Sequence, residues 1–96
     1  MSRDEIILGL SKFKKSNTEK YGIKSLGLFG SIARNNYSDQ SDIDIVVELK
    51  TPDIFIMADI KHDIEDCFNR HVDIVRKREK MNPLLKTKIS NEAIYV

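Results

Sequence analysis

The chain has 96 residues, 41% hydrophobic and 32% charged, with sixteen Lys and Arg against fifteen Asp and Glu for a formal charge of +1. That balance fits one small folded domain over residues 1–96 and gives no bulk charge with which to hold a polyanion, so no nucleic-acid signal stands out. The single Cys67 excludes an internal disulfide, and no apolar run approaches the ~20 residues of a membrane span, which together read as a cytoplasmic protein.

Ser2 and Glu5 have the spacing of a capping box, and Ile6, Ile7, Leu10 and Phe13 recur at helical intervals, predicting a first helix from about residue 3 to 20 that stops near Gly22. Ser25-Leu26-Gly27-Leu28-Phe29 reads as a short buried strand. Gly30-Ser31 then turns the chain into a helical piece, Ile32-Ala33-Arg34, followed by a polar loop over 35–41. Residues 42–49, DIDIVVEL, form the clearest strand, with β-branched residues throughout. Thr51-Pro52 has the pattern of a cap followed by a first-turn proline, and Met57, Ile60, Ile64, Cys67 and Phe68 mark one helical face ending near Asn69. On that face Cys67 is expected to be a reduced core thiol. Residues 71–75, HVDIV, give a third strand. Asn82-Pro83 repeats the cap signal before a last short helix, and residues 93–96 are expected to be extended. The fold class is α/β (α+β), a small mixed sheet of three to four strands with flanking helices.

The second strand is unusual. Side chains alternate faces along a strand, so Asp42, Asp44, Val46 and Glu48 share one side while Ile43, Ile45, Val47 and Leu49 form an apolar side. Two carboxylates two residues apart repel, and Asp is a poor strand former. A divalent cation converts that repulsion into coordination, because Mg²⁺ favours carboxylate oxygens and substrate phosphates. Taken alone, Asp-x-Asp fits a solvated strand end equally well. Connectivity adds a third acid. A helical crossover makes the second and third strands parallel, which sets Asp73 beside Asp42 and Asp44, and an antiparallel first strand brings Gly30-Ser31 to the same edge. Such a turn can offer N–H groups and a hydroxyl to a phosphate. The acids can hold the cations that the phosphates bridge, and Asp73 is placed to help deprotonate an incoming hydroxyl. Arg34 can meet a phosphate bidentately or simply lie on the surface.

These residues resemble a known family. Gly30-Ser31-x-Ala33-Arg34, the polar loop, and Ser41-Asp42-x-Asp44-x-x-Val47 are similar to the signature of the DNA-polymerase-β-like nucleotidyltransferases, and Asp73 matches the family's third acid. The compact length points to the minimal nucleotidyltransferase branch, of the kind paired with HEPN-domain toxins. The resemblance implies Asp42, Asp44 and Asp73 as ligands of Mg²⁺ and Gly30 and Ser31 as triphosphate contacts; two ions, with Arg34 and Ser41 as further nucleotide contacts, complete the expected site. It further implies ATP as the substrate and adenylylation of a partner toxin. Where the family usually carries Gly after Ala-Arg, this chain has Asn35, which tolerates left-handed backbone better than most residues.

Several other residues are expected to be ordinary. The Arg76–Lys80 run reads as a solvated connection. His62 and His71 have no neighbours at zinc-site spacing and read as structural or exposed. Tyr37 is placed where it can stack on a base, but nothing demands it. About 20 residues follow the third strand, too few for an acceptor-binding domain, so the acceptor is expected from a partner protein or from a homodimer. The alternatives are a non-catalytic antitoxin and transfer to a small molecule or RNA end.

Overall fold

The computed structural model describes residues 1–96. Its first helix, α1, spans Arg3–Tyr21 and begins with the expected reciprocal cap: Ser2 Oγ accepts from the Glu5 N–H and Glu5 Oε1 from the Ser2 N–H, both at 3.1 Å. It ends at Gly22, whose φ of 66° is the left-handed geometry that closes a helix. Strand β1 (Ile23–Phe29) leads into the one-turn α2 (Gly30–Ala33), and β2 (Ile43–Leu49) follows the polar loop. Helix α3 (Ile54–Phe68) crosses to β3 (Val72–Arg76); α4 (Pro83–Glu92) and the two-residue β4 (Ile94–Tyr95) close the chain.

The cap of α3 differs from the Thr51-Pro52 expectation. Asp53 caps this helix, accepting from the Phe55 and Ile56 N–H groups at 2.8 and 3.3 Å. Its carboxylate adds a charge favoured by the helix dipole, which Thr51 cannot supply, and Pro52 stays outside the helix. Asn82 caps α4 as expected, with Pro83 in the first turn.

The sheet order is β3-β2-β1-β4. β1 and β2 run antiparallel, β2 and β3 parallel, and β4 joins β1 antiparallel, so the sheet is mixed. The alternation along β2 divides the two faces. Ile43, Ile45, Val47 and Leu49 pack with Ile6, Leu10 and Phe13 of α1 and Ile60 and Ile64 of α3 into a buried cluster of 16 residues. Val46 faces the other way, against Phe29 and Ile89, under α4. The acid-bearing side of β2 is therefore covered by one short helix. Asp44 lies two residues along from fully buried Val46, at the margin of that cover.

Two readings of single residues change. Cys67 is exposed, on the outer side of α3 rather than in the core. Tyr37 is partly buried against the main cluster and anchors its loop there, instead of standing free to stack on a base.

The Tyr21 hydroxyl donates to Asp63 Oδ2 at 2.5 Å and ties the end of α1 to α3. That bond, with burial, pushes the Tyr21 pKa up from 10.0 to about 12. A pKa raised in the fold means stability that is complete below pH ~10 and lost as pH climbs toward ~12. Tyr21→Phe is expected to cost about 1–2 kcal/mol at neutral pH. Thermal melts at pH 7 and 11 check this: the variant should fall well below the parent at pH 7 and much less at pH 11.

Candidate active site

The three acids converge. The parallel register sets Asp44 opposite Asp73 and Ile43 opposite Val72. The antiparallel register sets Phe29, the residue before Gly30, opposite Asp44. The placement of Asp73 beside the Asp42–Asp44 pair, which depended on a parallel crossover, is thus realised. Asp42 and Asp73 are exposed, whereas Asp44 is partly buried beneath the Gly30 turn.

The electrostatics follow from that placement. Burial, then the charge of Asp73, pushes the Asp44 carboxyl above its ordinary range; Asp42 adds to the rise, while Lys88 and Arg34 oppose it. The ionised form of Asp44 is therefore disfavoured by the protein itself, first by burial and then by the neighbouring acid. A set of carboxylate oxygens in that condition fits a hard divalent cation.

Gly30 has φ 79°, and a Cβ built on it would lie 2.0 Å from Asp44 Oδ2. Only a residue without a side chain lets the turn close over this acid. Asn35 has φ 61°, the left-handed backbone that an asparagine after Ala33-Arg34 was expected to tolerate.

The predicted phosphate contacts are partly engaged by the protein. Gly30 N–H donates to Glu92 Oε2 at 3.1 Å, and Arg34 Nη1 donates to Glu92 Oε1 at 2.8 Å. The Ser41 hydroxyl accepts from the Ser38 N–H at 3.0 Å and closes the loop on itself. Arg70 clamps the same loop through the carbonyls of Ser38 (3.1 Å) and Ser41. Ser31 is half-buried at the start of α2.

Four residues of this region escaped the sequence reading. Glu92 belongs to α4, and its spacing to Gly30 is legible only once β4 has paired with β1. Arg70 sits between helix and strand with no local pattern. Lys88 shares a helical face with Glu92, four residues on. His71 is exposed, as expected, yet its Nδ1 stands 3.2 Å from Asp42 Oδ1 and 3.8 Å from Asp73 Oδ1. His71, just before β3, and Asp73 on it are two apart, as are Asp42, just before β2, and Asp44 on it, and this shared alternation was the available signal.

Glu92→Ala removes the acceptor of a part-buried N–H and the partner of Arg34. A loss of about 1–2 kcal/mol is expected in thermal or urea melts. Adding Arg34→Ala to it should cost less than the sum of the two single changes, since one carboxylate serves both contacts.

A mixed β3-β2-β1-β4 sheet with acids on two adjacent parallel strands beside a glycine turn defines the minimal nucleotidyltransferase fold. The nucleotidyltransferase domain profile matches residues 10–96, and the chain belongs to that family of enzymes. It is 42% identical over 88 residues to MJ0128 of Methanocaldococcus jannaschii, a candidate protein adenylyltransferase, covering 91% of this chain and 90% of the relative. Over 97 residues it is 29% identical to the protein adenylyltransferase MntA of Thermococcus cleftensis, covering 100% of this chain and 97% of that one. Among solved structures, a minimal nucleotidyltransferase superposes with a TM-score of 0.79 at 26% identity, covering 98% of this chain and 95% of that one. A chain from the complex of a tri-AMPylated Shewanella oneidensis HEPN toxin with an MNT antitoxin shares the fold, with a TM-score of 0.68 at 21% identity over 94% of this chain and 70% of that one. No helix is long and apolar enough to cross a membrane.

Proposed function

We propose that the chain is an antitoxin that transfers AMP from ATP to a hydroxyl of a HEPN-type toxin and thereby silences it. The observation that carries this reading is the acid edge itself: Asp44 set opposite Asp73 in the register, under a glycine turn that leaves no room for a Cβ. A protein that acted by contact alone would have no use for carboxylates held in mutual repulsion.

In this reading Asp42, Asp44 and Asp73 would hold Mg²⁺, which would supply positive charge to stabilise the oxygens that attack and leave. The Gly30-Ser31 turn receives the triphosphate, the Ser31 hydroxyl donating to it. Arg34 and Lys88, whose charges already offset that of Asp44, meet the phosphate charge. The acceptor oxygen forms a bond to the α-phosphorus, the bond from that phosphorus to the bridging oxygen breaks, and pyrophosphate departs. Asp73, on the exposed side of the cluster, takes the acceptor's proton. Catalysis of this kind is positioning and charge stabilisation, which a small sheet edge can provide.

A protein acceptor is further supported at the far end of the sheet. Ile54 and Phe55 are each 78% exposed and Leu84 is 83% exposed. Ile54 lines a groove of about 760 Å³ together with Met57, Met81 and Leu85, and Phe55 and Leu84 are the adjoining residues of the two helices. Large apolar side chains presented together in this way mark a contact surface.

Incubating the protein with Mg²⁺, ATP and a HEPN partner, then weighing the partner by mass spectrometry, tests the reading. AMP-sized increments are expected, absent with Asp42→Asn/Asp44→Asn. Full silencing of the partner by that variant would instead establish a contact-only antitoxin, and increments on RNA or a small molecule would move the acceptor.

A further inference from the structure

We propose that His71 is a further ligand of the metal site, and that its nitrogen makes the site favour first-row transition-metal dications over Mg²⁺. The inference rests on reading the acid edge as a metal site, and it deepens that reading.

The geometry comes from the strand register. Asp44 faces Asp73 across the parallel pair, so the preceding same-side positions, Asp42 and His71, stand level with each other one step nearer the sheet edge. D-x-D at the start of β2 therefore meets H-x-D at the start of β3. The backbone at His71 is fixed on both sides: its carbonyl accepts from the Ile43 N–H at 3.0 Å, and the next N–H, Val72, donates to Glu65 Oε2 at 3.1 Å. The backbone that carries the ring is held by the sheet and by α3 and not by chance of a flexible loop.

One ligand atom each from Asp42, His71 and Asp73 can be chosen so that all lie within 4.8 Å of one another. Donors around a single octahedral ion with bonds of about 2.1 Å stand about 3–4 Å apart, so small rotations of half-exposed side chains close the set. The polar contacts of the imidazole are these two carboxylates alone. A histidine kept for the fold would instead be buried and bonded to backbone, and this one is exposed.

The consequence is chemical. Mg²⁺ takes oxygen donors and gives up its water reluctantly, whereas imidazole suits the later first-row dications. An all-carboxylate edge would leave discrimination to charge and size. A nitrogen donor adds a term that Co²⁺ or Zn²⁺ gains and Mg²⁺ does not.

The test uses metals alone, without nucleotide. Co²⁺ and Mg²⁺ are titrated calorimetrically into the parent, His71→Ala and His71→Asp, the last giving an all-oxygen site. His71→Ala is expected to weaken Co²⁺ about tenfold or more while Mg²⁺ changes little, and His71→Asp to retain Mg²⁺ without regaining Co²⁺ preference. Independently, Zn²⁺ should move the His71 Nδ1 resonance in imidazole nitrogen spectra. Equal losses for both ions in His71→Ala, no loss for either, or an unmoved Nδ1 resonance would overturn the proposal and leave the three-acid site standing. If the parent binds neither ion while Asp42→Asn behaves identically, the acid edge is not a metal site and both readings fall.

Discussion

Asp44→Asn is expected to abolish nucleotidyl transfer and, in the same protein without metal, to raise the thermal midpoint. Asp44 is the acid whose charged form the fold disfavours most, first through burial and then through Asp73. Its pKa in the folded chain lies above its unfolded value. The sign of the linkage is therefore fixed: the metal-free fold is relatively most stable below the unfolded pKa, near pH 4, and loses ground as pH rises through the folded one. The penalty therefore grows as pH rises from about 4 toward neutral. Asn keeps the shape and removes the charge, so the variant should melt on the order of 2 °C higher, a modest gain because the carboxylate remains partly solvated. The difference should vanish near pH 4 and reverse in millimolar Mg²⁺, which stabilises only the parent by binding it. Transfer should fall by about 10³-fold or more, since a charge that positions cation and phosphate is lost. Differential scanning fluorimetry across pH, with and without Mg²⁺, reads the first part, and mass spectrometry of the acceptor reads the second. A variant that is less stable than the parent without metal would show that Asp44 is held for the fold and not for a cation.

That prediction rests on residues the sequence largely disclosed. The β2 alternation separates Asp42 and Asp44 from Ile43, Ile45 and Val47 by simple period-two reasoning, and the buried cluster follows that division. Asp73 required the additional step that a helical crossover makes strands parallel, and the register sets it directly opposite Asp44. Local chemistry was also legible at the ends of α1 and α4, where Ser2, Glu5 and Asn82 cap as their spacing implies. What escaped was chemistry assembled across distance. Glu92 reaches Gly30 over 62 positions, and Arg70 reaches Ser38 over 32, through pairings that no window of sequence contains. Asp53 displaced Thr51 as the α3 cap because its carboxylate takes the Phe55 and Ile56 N–H groups and starts the helix two residues later, a contest that spacing alone does not decide. Cys67 was misplaced for a related reason. It lies beside Phe68 at the end of a helix, where a shift of one residue turns a side chain from the core to solvent.

Gly30→Ala should prove the most damaging single change on the site, for two separable reasons. The first is backbone conformation. At φ 79° an L-residue carries a steric cost of about 1–2 kcal/mol that glycine does not. The second is space. The added Cβ would fall 2.0 Å from Asp44 Oδ2, 2.9 Å from Cγ and 3.1 Å from its Cβ, so rotation of the carboxylate alone does not relieve the contact. Either Asp44 leaves its position or the turn opens, and opening the turn breaks the Gly30 N–H bond to Glu92 as well. Together these should cost about 3 kcal/mol or more and lower the midpoint by more than about 10 °C. Transfer should fall with the metal site even under conditions where the variant remains folded. The comparison that isolates the mechanism is Gly30→Ala combined with Asp44→Ala, which removes the 2.0 and 2.9 Å contacts and leaves only the 3.1 Å approach of the remaining Cβ, but does not touch the strain. If the space argument holds, the double variant is more stable than Gly30→Ala alone, because deleting the acid restores room for the methyl group. If strain is the whole cost, the second substitution brings no recovery, and the turn's glycine is demanded by its backbone angle and not by the acid beneath it.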